Sequence, residues 1–446
     1  MCTLKFPNLR FFLGVKIPTL KRLYSGYLAK LMLDDGSSFS GIGFGYPTET
    51  AGEVVFNTGM VGYTETLTDP SYRGQIVCIT YPLVGNYGVP SNKIEDQYGL
   101  PKYFESGRIQ AKGLLIHNLS SVASHWTCIK TLDQWLYEER IPGIYGIDTR
   151  ELTKKLRIRG VMMGAMSVSE TCIADKLRLS ELLHSENYED RNFMAEVSVS
   201  NVRQYGDNEK DCIVLIDAGT KYSIIRNIIK SGYRAVLLPW DSPFEEIIRY
   251  DPVGVIISNG PGDPTQCTQT IRTATKLIDS STPTLGICLG NQILALAAGA
   301  KTFKLKFGHR AQNKPCMDLN NGQTYITSQN HGYGISAESL NGTGFRIWFT
   351  NIDDTTVEGI EHKEKPIVAV QFHPEASPGP YDCAFVFDRF KELIENNNKK
   401  MKREDSFKPN HDGNCMEEKM PKHESIRKVL VIGSGAIKIG EAGESQ

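Results

Sequence analysis

The sequence predicts an α/β chain in two halves: a strand-rich α+β domain, then a parallel sheet with helices on both faces. Short alternating runs separated by turn residues fill the first half, and Asp34-Asp35-Gly36 between Ala29–Leu33 and Ser38–Phe44 is a hairpin signal. From Cys212 the pattern changes to continuous apolar runs alternating with helical ones, as parallel strands buried on both faces require. The third observation is the stretch Gly286-Ile287-Cys288-Leu289-Gly290-Asn291-Gln292. It joins a strand end (Pro283-Thr284-Leu285) to an apolar helix (Ile293 to Ala300).

With 446 residues, 40% of them hydrophobic and 23% charged, the chain has room for two or three domains with proper cores. Fifty basic against fifty-one acidic residues argue against a nucleic-acid binder. No apolar run approaches the roughly 18 residues of a membrane span. Ten scattered cysteines without a CxxC pair argue against a disulfide framework or a zinc site, and for a reducing compartment.

Residues 1–26 are basic, with Lys5, Arg10, Lys16, Lys21 and Arg22 interleaved with Leu, Phe and Ile. This composition fits a mitochondrial transit peptide with Arg22-Leu23-Tyr24-Ser25 as a processing site; the plainer alternative is a basic tail. Residues 27–175 form the first domain. Its strands are expected at Glu53–Gly59, Gln75–Tyr81 and Ala111–Leu119, and its helices at Leu132–Glu139 and Arg150–Arg159. Residues 176–210, polar and breaker-rich, read as a linker, the local helix expected around it running from Ala174 to Leu183. The second domain, 211–395, alternates strands at Cys212–Asp217, Tyr233–Pro239 and Val253–Ser258 with a helix at Ser223–Lys230. Residues 396–427 read as a flexible linker, and 428–446 open a new strand and glycine turn.

Cys288 stands between strand and helix, where the glycines at 286 and 290 permit a tight turn and the helix N-terminus favours a thiolate. Such a turn exposes the side chain above the sheet and suits a nucleophile. The turn Ser258-Asn259-Gly260-Pro261-Gly262-Asp263-Pro264 ends another strand. Its backbone N–H groups suit an oxyanion or a carboxylate, or it is a turn and nothing more. A cysteine nucleophile needs a base near in space. Among nine histidines, His373 follows the buried run Ile367–Phe372, with Glu375 two residues on. On an extended backbone both point to one side, as a base and its orienting carboxylate.

These stretches, with Phe372-His373-Pro374-Glu375, resemble a class I glutamine amidotransferase. Gly62–Tyr72, Tyr81–Gly88, Gly146–Arg150, Asn259–Pro264 and Ser328–Tyr333 resemble the small subunit of carbamoyl-phosphate synthetase, from about residue 27 to 395. The resemblance implies a flavodoxin-like second domain with Cys288, His373 and Glu375 as the triad. It implies an oxyanion held by the N–H groups of Leu289 and Gly262, and glutamine gripped by Gly59, Gly260, Gly262, Leu289, Gln292, Asn330, Gly332 and Tyr333. Because Gly59 belongs to the first domain, the site would be completed across the domain interface. Asn291 departs from the family, many members of which have histidine there. No metal or cofactor is implied for this chain. ATP and Mg would belong to a synthetase portion, whose opening Lys428–Glu444 resembles, as in the mitochondrial fused type. The implied partners are L-glutamine and a synthetase large subunit or fused synthetase domains, with neither nucleic acid nor membrane. Two alternatives stand beside this reading: a silent regulatory domain, and another amidotransferase, against which the first-domain stretches argue. The residues leave open whether the product serves arginine and urea or pyrimidines.

Overall fold

The computed structural model describes residues 27–405 except 173, 186, 187, 189, 190 and 207–210. The basic segment 1–26 and residues 406–446, expected to hold most of the second linker and the start of a synthetase domain, lie outside the described residues.

The first domain closes on itself. Strands β1 (Tyr27–Leu33) and β2 (Ser38–Gly45) form the expected hairpin, with Leu31 opposite Phe39 and Gly36 in the left-handed region at φ 80°. Then come β3 (Glu49–Asn57), α1 (Tyr63–Thr68), β4 (Gln75–Ile79), β5 (Leu83–Val84), β6 (Gly113–Leu115), β7 (Asn118–Leu119), α2 (Leu132–Glu138), β8 (Pro142–Tyr145), α3 (Thr149–Arg159) and β9 (Met162–Ser169). The strands close a barrel in the order β1-β2-β8-β6-β4-β3-β9, and β5 pairs with β7 beside it. The single strand expected at Ala111–Leu119 is therefore two short ones, serving different sheets. Strand β9 was not expected, because Met-Met-Gly-Ala-Met has weak strand propensity. It is held on both edges, antiparallel to β1 and to β3, and so removes the open edge of the sheet. Leu31, Val54, Ile76, Leu115, Ile144 and Met166 fill one part of the interior.

Residues 176–210 do more than link. Helix α4 (Lys176–Ser185) packs Leu179 and Leu183 against Met32, Ala51 and Ala165 of the barrel, and α5 (Met194–Val197) buries Met194. Strand β10 (Arg203–Tyr205) then adds an antiparallel edge to the second sheet.

The second domain comprises β11 (Cys212–Asp217), α6 (Tyr222–Lys230), β12 (Arg234–Pro239), α7 (Phe244–Ile248), β13 (Gly254–Ile257), α8 (Thr268–Asp279), β14 (Thr284–Ile287), α9 (Leu289–Ala297), β15 (Thr302–Asp318), β16 (Thr324–Ile335), β17 (Phe345–Asn351), β18 (Val357–His362), β19 (Ile367–Val370) and α10 (Phe385–Asp405). The sheet runs β10-β12-β11-β13-β14-β19-β18-β17-β15-β16. Its centre, β12-β11-β13-β14-β19, is parallel as expected, but β18-β17-β15-β16 extend it antiparallel, so the whole sheet is mixed. Helices cover both faces. Ala274, Leu277, Ile293 and Leu294 of α8 and α9 pack on one side, and Ile224, Ile228, Phe387 and Phe390 of α6 and α10 on the other. The carboxyl ends of β11, β13, β14 and β19 converge on one rim, where ligands bind in open α/β sheets. Helix α10 continues through Asn396–Asn398 to Asp405 where a linker was expected, because the Lys and Arg that follow are good helix formers.

Candidate active site

Cys288 occupies the step from β14 to α9 with φ 53° and ψ −99°, a region that side chains other than glycine rarely enter. Its N–H donates to Val370 O at 2.8 Å, and its carbonyl accepts from the N–H groups of Asn291 and Gln292. The strain sits on the cysteine itself, at a cost of order 1–3 kcal/mol. Neither Gly286 nor Gly290 has a positive φ; both are needed for closeness instead. A Cβ on Gly290 would stand 2.1 Å from Ile257 O, and one on Gly286 2.7 Å from Gly290 C. Helix α9 thus presses on β13, and its N-terminus is aimed at Cys288. The expected exposure of the side chain is not found: Cys288 is 1% exposed, with Asn330 O 3.6 Å and Gln371 Nε2 3.7 Å from its sulfur.

His373 donates from Nδ1 to Glu375 Oε1 at 2.6 Å. The contact does not arise on an extended backbone, as the sequence suggested. Ala376 N donates to His373 O, so residues 373–376 form a turn that folds Glu375 back onto the ring. Burial alone would lower His373, but the charges of Glu375 and Cys288 outweigh it and raise the ring to about 10. Its Nε2 is buried, makes no hydrogen bond of ordinary geometry, and is the nitrogen left for Cys288. Burial would raise Glu375, yet Lys221 and then His373 hold it at about 2. Lys221, itself buried, places Nζ 3.1 Å from Glu375 Oε1 and 2.5 Å from Ala376 O. The three side chains form a line of alternating charge that ends at the thiol.

A cleft of about 490 Å³ opens beside Cys288, and its walls include Gly260, Gly262, Leu289, Gln292, Asn330, Gly332 and Tyr333. Seven of the eight residues expected to grip glutamine are therefore together. Gly59 is not with them. It donates to Asn57 Oδ1 and lines a neighbouring depression with Met60 and Val61. Glu53, Ser71 and Gln75 bring the first domain into the cleft in its place. Among the described residues the N–H groups of Leu289 and Gly262 make no hydrogen bond within the chain. Gly262 has φ 85°, which favours glycine, and Gly260 leaves no room for a Cβ, which would meet Ala218 O at 2.2 Å.

Several participants were not read from the sequence. Gln371 Nε2 lies 3.7 Å from Cys288 Sγ, and its Oε1 accepts from Asn291 Nδ2 at 3.1 Å and Gln292 Nε2 at 3.2 Å. Asp69 of the first domain accepts from Asn330 Nδ2 at 2.7 Å and from Asn259 Nδ2 at 3.4 Å, tying the barrel to both walls of the cleft. A signal for Asp69 was present, since it falls within Gly62–Tyr72. Lys221 follows Ala218-Gly219-Thr220 at a strand end, a position that in hindsight marks the same rim.

One group of side chains among the described residues has metal-ligand proximity: His309, His331 and Glu358, with donor atoms within 4.8 Å of one another. His309 lies between Asp354 (2.8 Å) and Glu358 (3.3 Å). Burial would lower it, but these two carboxylates raise it to about 9. A protonated His309 pairs with both carboxylates, so the group is read as an ion network that includes His331 of β16.

Both domains have matches among known proteins. Residues 31–166 match the family model "Carbamoyl-phosphate synthase small chain, CPSase domain", and residues 214–393 match "Glutamine amidotransferase class-I". The chain is 46% identical to the carbamoyl phosphate synthase small chain of Pyrococcus furiosus over 82% of its own length and 97% of that protein's. It is 42% identical to the mitochondrial carbamoyl-phosphate synthase [ammonia] of Aquarana catesbeiana over 97% of this chain, but spans only 27% of that protein. Against the multifunctional protein CAD of Squalus acanthias it is 43% identical and spans 18%. Near-complete coverage of the archaeal small chain shows that this chain belongs to the carbamoyl-phosphate synthase small-chain family and carries its class I glutamine amidotransferase domain.

Proposed function

We propose that the chain hydrolyses L-glutamine through a thioester on Cys288 and supplies the ammonia to a carbamoyl-phosphate-forming synthetase portion. The observation that carries this reading is Cys288 at a helix N-terminus, in a cleft, backed by the buried His373–Glu375–Lys221 line. Cys288 Sγ attacks the carboxamide carbon of glutamine. The N–H groups of Leu289 and Gly262 hold the oxyanion that forms. His373 gives its Nε2 proton to the leaving nitrogen, ammonia departs, and a glutamyl thioester remains. His373 then takes a proton from water, whose oxygen attacks the thioester. The proton returns to sulfur as glutamate leaves. Glu375 fixes the ring with Nδ1 protonated, so that Nε2 is the nitrogen that works. Gly260, Gln292, Asn330, Gly332 and Tyr333 position the substrate.

The use of ATP and Mg belongs to the synthetase portion, joined to this chain or separate from it. The basic segment 1–26 supports import into the mitochondrial matrix, as does the mitochondrial relative; a fusion of residues 1–26 to a fluorescent protein tests this by its location in cells. Ammonia release from glutamine by the purified chain and its Cys288→Ser variant tests the chemistry. Equal rates in the two would refute it, and no release by either would leave a docking or regulatory role.

A further inference from the structure

We infer that His309, His331 and Glu358 form a zinc site in the second domain, beside the cleft, in which the metal takes the place of the proton on His309. The antiparallel register of β15 and β16 sets His309 directly opposite His331, and Glu358 comes from β18. All three are buried, and one ligand atom from each lies within 4.8 Å of the others. Proximity alone would fit the ion network already described; the way each ring is held goes further. His309 turns Nε2 to Asp354 Oδ2 at 2.8 Å. This leaves Nδ1 3.3 Å from Glu358 Oε1 and, among the described residues, without a hydrogen bond. Burial and the charge on His309 keep the His331 ring neutral. Its Nδ1 faces the Tyr333 carbonyl at 2.9 Å; a carbonyl only accepts, so this nitrogen carries the proton and Nε2 is bare. A ring whose far nitrogen donates to a carboxylate or a backbone carbonyl, with its near nitrogen aimed inward, is held as metal ligands are held.

A second observation points to a cation. His331 Nε2 stands 3.3 Å from Gln329 Oε1. The amide is fixed in this sense, because its Nε2 donates to Glu358 Oε2 at 2.9 Å and to Thr327 Oγ1 at 3.0 Å. A lone pair thus meets a lone pair in a buried place, and a cation between them removes the opposition. Tetrahedral zinc sets its ligand atoms about 3.3 Å apart. His309 Nδ1 and Glu358 Oε1 are already at 3.3 Å, and His331 Nε2 is 4.0 Å from the same oxygen. Asn351 Nδ2 holds that oxygen in place with a hydrogen bond of 3.1 Å. Two imidazoles and a carboxylate suit zinc, whereas magnesium asks for an octahedron of oxygens. Gln329 Oε1 is the fourth donor within reach. On binding, the His309 proton leaves to solvent, and the charge of the ion is met by Glu358 and Asp354. His331 also lines the cleft, which gives the ion a way in. Asn330 and Gly332 flank His331 on β16, so a bound ion braces that wall of the cleft, whatever chemistry Cys288 performs.

Calorimetric titration of the full chain with zinc tests the site, in the Cys288→Ser form so that no thiolate in the cleft competes. About one ion per chain is expected to bind, with a Kd of about 1 μM or tighter. Adding His309→Gln is expected to abolish this binding, whereas His125→Gln, at an exposed position, is expected to leave it unchanged. One equivalent of cobalt(II) in place of zinc is expected to show tetrahedral d–d absorption without a sulfur-to-metal charge-transfer band. No uptake of zinc, or unchanged affinity in the folded His309→Gln variant, would overturn the proposal, and so would a sulfur-to-cobalt band. Should His309→Gln fail to fold, X-ray absorption at the zinc edge of the loaded chain decides. Scattering from two imidazoles with no sulfur neighbour is expected, and a sulfur shell or a shell of oxygens alone would overturn the assignment.

Discussion

Lys221 Nζ stands 3.1 Å from Glu375 Oε1, the same oxygen that accepts the His373 Nδ1 proton at 2.6 Å. One carboxylate oxygen is thus shared by two cations, in a place almost closed to water. Burial lowers Lys221, but Glu375, Glu105 and Asp69 together hold it above its ordinary value.

Replacing Lys221 by Met removes the largest favourable influence on Glu375. Breaking a buried ion pair by deleting one partner costs about 3 kcal/mol. Glu375 is depressed in the folded state, so its contribution is present above about 4.5 and is lost as pH falls through about 2. In Lys221→Met the folded value rises, and this loss moves to higher pH. Thermal melts across that acid range check it: a parallel downward shift at every pH would contradict it.

His373 is raised, so the sign reverses. Its contribution to stability is complete below about 6.5 and disappears as pH rises through about 10. Glu375→Gln deletes the main cause of the rise and leaves burial, which lowers the ring, opposed by Cys288 alone. The alkaline limb of glutaminase activity is expected to move to lower pH, with kcat reduced by roughly 10²-fold or more. A pH–rate profile superimposable on the parent's would count against the pair.

Gly290→Ala places a methyl group 2.1 Å from Ile257 O. Overpacking of this kind costs about 3 kcal/mol, and here the obstacle is backbone, which has little freedom to yield. Denaturant unfolding is expected to show this loss together with loss of glutaminase. Gly299→Ala, at the far end of α9, meets no atom within 4 Å but sits at φ 90°, so its smaller cost is one of backbone strain alone.

Asp69→Ala frees Asn330 from the barrel, while Asn259 keeps its bond to Ser71 Oγ at 3.0 Å, and it removes no group that touches Cys288 or His373. The KM for glutamine is expected to rise about tenfold, with kcat changed far less, in steady-state assays. A fall in kcat at constant KM would mean that Asp69 serves the chemistry and not the shape of the cleft.

How far the sequence could be read depended on what kind of pattern each part left. Cys288, His373 and Glu375 stand at the ends of continuous apolar strands, and such strands are legible without tertiary information. Strands β15 to β18 are not: Thr302–Asp318 mixes Lys, His, Arg, Gln and Asn, and its buried and exposed positions do not alternate. The turn at His373–Ala376 depends on a local fold that Pro374 alone does not specify. Gly59 was carried over from relatives, and only packing shows that it lies off the cleft. Lys221 was invisible because a lysine reads as surface until the carboxylate that buries it is placed.

The central claim is that Cys288 becomes covalently attached to the substrate. Rapid acid quenching of the chain with glutamine, followed by peptide mass analysis, measures this directly. A glutamyl adduct on the peptide holding Cys288, absent from Cys288→Ser, is the result the structure predicts. Glutamine turnover without any adduct on that peptide, or turnover retained in Cys288→Ser, would contradict it.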